Sequence, residues 1–185
     1  MEVLEAIKTR RSIRKYKTTP VDDKTLELIL EAARWAPSWG NTQCWRLIVV
    51  SDDDIKNRLA DTLNATNPAM DAIREAPLLI VACAELGRAG YKEGELATDK
   101  GDWFMFDVAL AMQNLVLAAH SLGLGTVHTG RFDANKVADI LEVPQGYCVV
   151  EMTPLGYSDQ VRDPRPRKEL SEIVFYNRFG VKASS

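Results

Sequence analysis

Eight residues, TRRSIRKY (Thr9–Tyr16), carry three arginines and a lysine, although the 185-residue chain has a formal net charge of −3. Arg10, Ser12 and Arg14 alternate, so an extended backbone would point all three to one side. Guanidinium forks and a hydroxyl bind phosphate oxygens through several charge-assisted hydrogen bonds. A solvated basic turn would have the same composition. Arg165 and Arg167 form a second alternating pair far along the chain. Two such sets are what a phosphate pocket built from distant segments requires.

A second stretch, APSWGNTQCW (36–45), places Ser38, Asn41 and Gln43 among Pro37, Trp39 and Trp45. It reads as a polar loop between a helix and a strand. Amide donors and acceptors beside tryptophans also suit a planar heteroaromatic ligand. Other chemistries lack their signatures. GLGTVHTG has a GxG, but His128 stands where the next glycine of a dinucleotide fingerprint would fall. There is no Walker loop, GxSxG or HExxH. His120 and His128 lie in apolar contexts without a partner motif, which favours packing over metal binding. Cys44, Cys83 and Cys148 are widely spaced and form no CxxC. That argues for reduced thiols in a cytoplasm, with Cys83 and Cys148 in the core.

These residues need a folded frame. With 46% apolar and 26% charged residues, the chain suits one domain over 1–185. It lacks the basic balance of a general nucleic-acid binder. MEVLEAIKTR has no apolar signal core, so no secretory or transit peptide is expected. The greasiest region, VALAMQNLVLAAHSLGLG, is interrupted by Gln113, Asn114, His120 and Ser121. It reads as a buried helix, not a membrane span.

Residues 3–9 read as a short helix. Asp22 caps a second, which ends at Pro37, and Asp52–Asp54 start a third that runs to about Leu63. WRLIVVS (45–51), PLLIVACA (77–84), TVHTG (126–130) and YCVVEMTPLG (147–156) read as strands. Residues 85–101 read as a mobile excursion or a loose helix. Asp102 or Trp103 opens the long helix, and Asp133 caps another to Leu141. Pro164 and Pro166 stiffen an extended arm over 163–179, whose apolar IVF run suits an added strand on a partner's sheet edge. A tail folded back on its own subunit is the alternative.

RRSIRKY, APSWGNTQCWRLIVV, DVALAMQNLVLAAHSLGLGT, TGRFD and RPRKELSEIV, in this order, resemble the FMN-dependent nitroreductase family, in its short single-domain form. The resemblance implies an α/β (α+β-type) fold, with a mostly antiparallel central sheet flanked by helices and a C-terminal arm exchanged in a homodimer. It implies FMN as cofactor and NADH or NADPH as electron donor. A small-molecule acceptor, such as a nitroaromatic or a quinone, would be reduced by ping-pong hydride transfer. Neither nucleic acid nor a membrane is implied as a partner.

The resemblance places Arg10, Ser12 and Arg14, with Arg11 among them, at the flavin phosphate and the pyrimidine edge. Arg165 and Arg167 close on the phosphate. Pro37, Ser38 and Trp39, continued by Asn41 and Gln43, pack on the flavin of the other subunit. Thr129 and Gly130 bring a backbone amide to flavin N5. No catalytic side chain is implied, and Arg14 supports the reduced flavin electrostatically. The chain departs from the family at Cys44, where proline is frequent, and at His128 and Thr129, where apolar residues are. Asn67 is a candidate for a family asparagine. Two other activities fit the same scaffold. One is reductive dehalogenation or flavin fragmentation, with 85–101 as a lid and Tyr91, Lys92, Glu93 and Glu95 on a zwitterion. The other is a non-enzymatic flavin carrier or redox sensor.

Overall fold

A computed structural model of the chain describes residues 1–182. Three aspartates start helices as their spacing predicts. Asp22 accepts from the Thr25 amide at 2.9 Å and opens α2 (Asp23–Arg34), after α1 (Val3–Thr9). Asp52 accepts from the Ile55 amide at 2.9 Å and opens α3 (Asp53–Ala60), after β1 (Trp45–Val50). Further on lie α4 (Met70–Glu75), β2 (Leu78–Glu85), the two-residue strands β3 (Tyr91–Lys92) and β4 (Glu95–Leu96), α5 (Phe104–Ser121) and β5 (Leu124–Thr126). Asp133 caps α6 (Ala134–Ile140), which leads to β6 (Tyr147–Tyr157) and α7 (Leu170–Ile173).

The main sheet has the order β1-β2-β6-β5, and every pair is antiparallel. Strand β2 is apolar nearly throughout because both of its faces are covered. Ile80, Ala82 and Leu155 pack on one side with Ile29 of α2 and with Val108, Met112 and Leu115 of α5. Leu79, Val81, Cys83 and Met152 pack on the other with Leu59, Ile73 and Val137. The alternation is that of a pleated strand. The buried stripe of α5 (Val108, Ala111, Met112, Leu115, Val116, Ala119) has helical spacing. By length and composition alone, α5 would pass as a membrane span, with mean hydropathy 1.2 over 18 residues. Here it is a helix of the protein core.

The structure corrects several expectations. The third strand is Leu124–Thr126, not 126–130; beyond it only Thr129 pairs, in a single bridge to Met152. Residues 85–101 form no helix. Gly87, Gly90 and Gly94 have φ of 71°, 87° and 85°, which turn the chain into the β3–β4 hairpin. Helix α4, which followed no clear cap, was not foreseen. The IVF run is not a strand: Leu170–Ile173 is one helical turn, where Glu172 Oε2 accepts from the Glu169 amide at 2.8 Å, and Val174 is extended.

Candidate functional site

The basic segment leaves α1 extended and is stitched along the sheet. The Ile13 amide donates to Thr126 O of β5 at 2.9 Å, the Lys17 amide to Tyr157 O of β6 at 2.9 Å, and Lys15 O accepts from the Asp159 amide at 2.9 Å. Ile13 and Tyr16 turn inward, at 8% and 7% exposure. The Tyr16 hydroxyl donates to Ile13 O at 2.7 Å, and burial raises its pKa. Gly125 makes this approach possible. A Cβ there would lie 2.7 Å from the Ile13 side chain.

With Ile13 facing in, Arg10, Ser12 and Arg14 face a cavity of about 260 Å³. Its walls are Arg10, Arg11, Ser12 and Arg14 on one side and Arg162, Asp163, Arg165 and Arg167 on the other. The two alternating sets that the sequence offered therefore meet. Arg162 and Asp163 join them, unforeseen, because they precede the alternating pair. Arg11 has partners already: its Nη1 donates to Lys8 O and Arg10 O, each at 2.8 Å, at the end of α1.

Arg10 Nη1, Arg14 Nε and Gln160 Nε2 are buried donors without a hydrogen-bond partner among the described residues. A buried unsatisfied donor costs about 1–3 kcal/mol. Burial depresses the Arg10 pKa, as do Arg11 and Arg167. Burial, then Arg162 and more weakly Arg165, depresses that of Arg14, while Tyr16 opposes them with an effect between those of the two arginines. An anion in the cavity would satisfy the donors and relieve the crowding of like charges. Both effects fit a phosphate group. Behind the cavity, the Thr9 hydroxyl donates to Glu5 O at 2.7 Å and accepts from His120 Nε2 at 2.8 Å. His120 is thus held at the end of α5, with its pKa lowered by burial, Arg10 and Arg11.

Pro37, Ser38, Trp39, Asn41 and Gln43 do not line this cavity. They form a separate loop around one 3₁₀ turn (Trp39–Asn41), with φ of 51° at Gly40, 58° at Asn41 and 48° at Gln43. Left-handed backbone at two non-glycine residues is strained. The loop holds that shape because Asp107, fully buried on α5, accepts from the Trp39 amide at 3.0 Å. The Thr42 hydroxyl reaches the same carboxylate at 3.4 Å and the Cys44 thiol at 3.8 Å. Ser38 Oγ accepts from the Gln43 amide at 3.0 Å. Burial, then Asp107, pushes the Cys44 thiol up to about 12. Sequence reading missed Asp107, yet a signal existed: it is the one acidic residue on the buried stripe of α5.

Thr129 exchanges backbone hydrogen bonds with Met152 at 3.0 Å, and its buried Oγ1 has no partner among the described residues. Gly130 is exposed. His128 Nδ1 lies 3.0 Å from Glu151 Oε1, which also accepts from the Thr153 hydroxyl at 3.0 Å. His128 is therefore an exposed group in contact with a carboxylate, not a residue packed in apolar surroundings. Asn67 Nδ2 donates to Arg131 O at 3.2 Å, beside Gly130. Cys83 is buried as expected, while Cys148 is only partly so.

Residues 7–157 match the nitroreductase family. The chain belongs to that family. It is 32% identical to a nitroreductase family protein of Clostridium novyi NT, covering 98% of this chain and 97% of that one, with a TM-score of 0.76. The NADPH:FMN oxidoreductase of Vibrio harveyi, solved in complex with NAD+, is 29% identical, with a TM-score of 0.83; the match covers 96% of this chain and 77% of that one. The 5,6-dimethylbenzimidazole synthase of Rhodospirillum rubrum is 28% identical over 91% of this chain and 86% of its own.

Proposed function

We propose that this nitroreductase-family protein is an NAD(P)H-dependent oxidoreductase that carries FMN and reduces nitroaromatics, quinones or similar electron-poor acceptors by a ping-pong mechanism. One observation carries the reading: two distant arginine segments meet around a cavity that holds unpartnered buried donors. When bound, FMN supplies the hydride chemistry at N5, between the nicotinamide donor and the acceptor.

The chain's own residues bind and orient. Arg10, Ser12 and Arg167, with Arg11 and Arg165 beside them, hold the phosphate. Arg14 supplies positive charge at the pyrimidine edge, where negative charge develops on reduction. Thr129 and Gly130 offer backbone beside N5. Pro37, Ser38, Trp39, Asn41 and Gln43 cover the ring from the other subunit. Their absence from the arginine cavity of one chain supports a shared site. No side chain is required as a catalytic acid or base.

The protein works as a homodimer of one-domain chains (1–185), each extending an arm over residues 163–179. Leu170, Ile173 and Phe179 are exposed at 73%, 57% and 93%. Apolar exposure of that extent on an extended tail suits burial against a partner.

The test is to purify the protein, release the cofactor by heat and chromatograph it, then titrate the holoprotein anaerobically with NADH and NADPH. FMN and bleaching of the band near roughly 450 nm, restored by a nitroaromatic, are expected. An FAD peak or a flavin that neither donor bleaches would overturn the reading.

A further inference from the structure

One polar cluster lies outside both the arginine cavity and the Asp107 loop. His128 Nδ1 lies 3.0 Å from each oxygen of Glu151, and Glu151 Oε1 also accepts from the Thr153 hydroxyl at 3.0 Å. Thr153 is fully buried and the Glu151 side chain is 16% exposed, whereas that of His128 is 37% exposed. Glu151 and Thr153 stand opposite Ala82 and Ile80 of β2, on the apolar sheet face that α2 and α5 cover. A carboxylate placed there is costly unless it is hydrogen-bonded. Here a buried hydroxyl and a mostly buried carboxylate together orient one exposed ring. Because the carboxylate accepts the Nδ1 proton, Nε2 is the open atom of that ring.

The backbone fixes where the ring stands. Thr129 exchanges both of its backbone hydrogen bonds with Met152. In an antiparallel ladder the residues flanking such a pair turn their amides to the other edge, and successive side chains alternate between faces. His128 and Gly130 therefore share one face, and among the described residues neither amide donates to a backbone group. Gly130 carries no side chain, so the imidazole of His128 is the functional group next to the open Gly130 amide. It also stands at a departure from the family's apolar pattern.

The chemistry lacks one component at this place. Hydride transfer needs no side-chain acid or base, but the acceptor that gains a hydride also needs a proton. A quinone that takes the hydride on one oxygen is left with a negative charge on the other, and one proton completes the hydroquinone. Histidine is the side chain that changes charge most readily near neutral pH, and a negative charge nearby favours its protonated form. Reduction places such a charge on the cofactor.

We propose that His128, oriented by Glu151, is the proton carrier of the reaction: its Nε2 takes a proton from water when the nicotinamide donor has delivered its hydride, and gives that proton to the acceptor. The proposal rests on the FMN reading above. The sum balances as donor hydride plus one proton plus quinone, giving oxidised donor and hydroquinone, with the imidazole restored. Among the described residues, Glu151 is the one acidic side chain in ion-pair contact with His128, and Arg131 is the nearest charged residue along its own segment.

The experiment uses the FMN-loaded protein as wild type, His128→Gln, Glu151→Leu and Glu151→Gln, with FMN content read by absorbance. Proton uptake on anaerobic reduction by the nicotinamide donor is counted with an indicator dye between about pH 6 and 8. Stopped-flow spectra then follow reoxidation by a benzoquinone. Wild type is expected to take up more protons per flavin than His128→Gln, with the difference approaching one. Reoxidation slows about tenfold or more in His128→Gln, less than the roughly 10²–10⁴ typical of general acids because water reaches the ring. The reductive half-reaction changes by less than about twofold. Glu151→Leu, which removes the acceptor for Nδ1, reproduces the loss, and Glu151→Gln, which keeps one, restores part of it. Equal proton uptake by wild type and His128→Gln overturns the proposal, as does a variant that slows both half-reactions alike. Wild-type behaviour of Glu151→Leu overturns the pairing. Wild type without FMN overturns the flavin reading and the proposal with it, whereas bound FMN with unchanged proton uptake overturns the proposal alone.

Discussion

Residues 10–16 and residues 161–167 face each other across the cavity, but they are held differently. The first segment is pinned to β5 and β6 by backbone hydrogen bonds and by the buried side chains of Ile13 and Tyr16. In the second, every residue is exposed, and among the described residues no backbone amide from 161 to 168 donates to another backbone group. One wall is preorganised; the other takes its shape from local contacts, such as Arg167 Nη1 donating to Arg165 O at 3.1 Å. A preorganised wall spends little ordering entropy on ligand capture, whereas an extended wall must be ordered by it. The difference teaches that affinity for the resident cofactor should depend on both walls, through separate causes.

Removing the second wall is the severest way to break this comparison. Truncation after Val161 deletes the three cavity arginines of that wall and the arm together. At about 1.5–3 kcal/mol for each charge-assisted hydrogen bond, loss of two should weaken FMN binding at least ~100-fold. Fluorescence titration would show this, and size-exclusion chromatography should show monomers or aggregates. A truncated dimer would refute the exchanged arm.

Gly125→Ala attacks the first wall from behind, without touching an arginine. The new Cβ collides with Ile13. Overpacking of this kind costs about 1–3 kcal/mol, and displacement of the pinned segment should weaken FMN binding about tenfold or more. Urea melts and FMN titration measure the two effects, and wild-type values in both would show that the pinning is dispensable.

Within the pocket, Arg167→Ala should weaken FMN binding about tenfold and Arg11→Ala less. Arg167 bears on half-buried Arg10, while the Arg11 guanidinium already has two carbonyl partners. Equal dissociation constants for the two variants would contradict the assignment.

The smallest effect sharpens the contrast by adding the third region, the loop on Asp107. Asp107→Asn keeps one acceptor for the Trp39 amide and should cost about 1 kcal/mol, read as a modest drop in Tm. Cys44, with its pKa pushed up to about 12, should resist thiol reagents at pH 8 in the native protein. Rapid modification of Cys44 there would show that the loop and its carboxylate anchor open readily.

Much of this was legible in local chemistry. Asp22, Asp52 and Asp133 announce helices because a side-chain oxygen two or three residues before free amides caps them wherever the chain goes. WRLIVVS, PLLIVACA and YCVVEMTPLG announce strands because covered sheets require continuous apolar runs. Alternation alone put Arg10, Ser12 and Arg14 on one side of the backbone. Short runs were less legible. IVF became part of a helical turn and its extended exit, and TVHTG lost most of its strand to residues 124–126. Runs of a few residues satisfy either periodicity, and their neighbours choose between them. The tertiary structure also decided which distant groups share a site. Arg10 meets Arg167, Arg162 joins the cavity, and Asp107 reaches the Trp39 amide 68 residues away. Local sequence determines which groups a segment can present. Whether two segments face each other depends on loop closure, strand order and a close approach such as that of Gly125 to Ile13, and these exist only once the sheet has assembled.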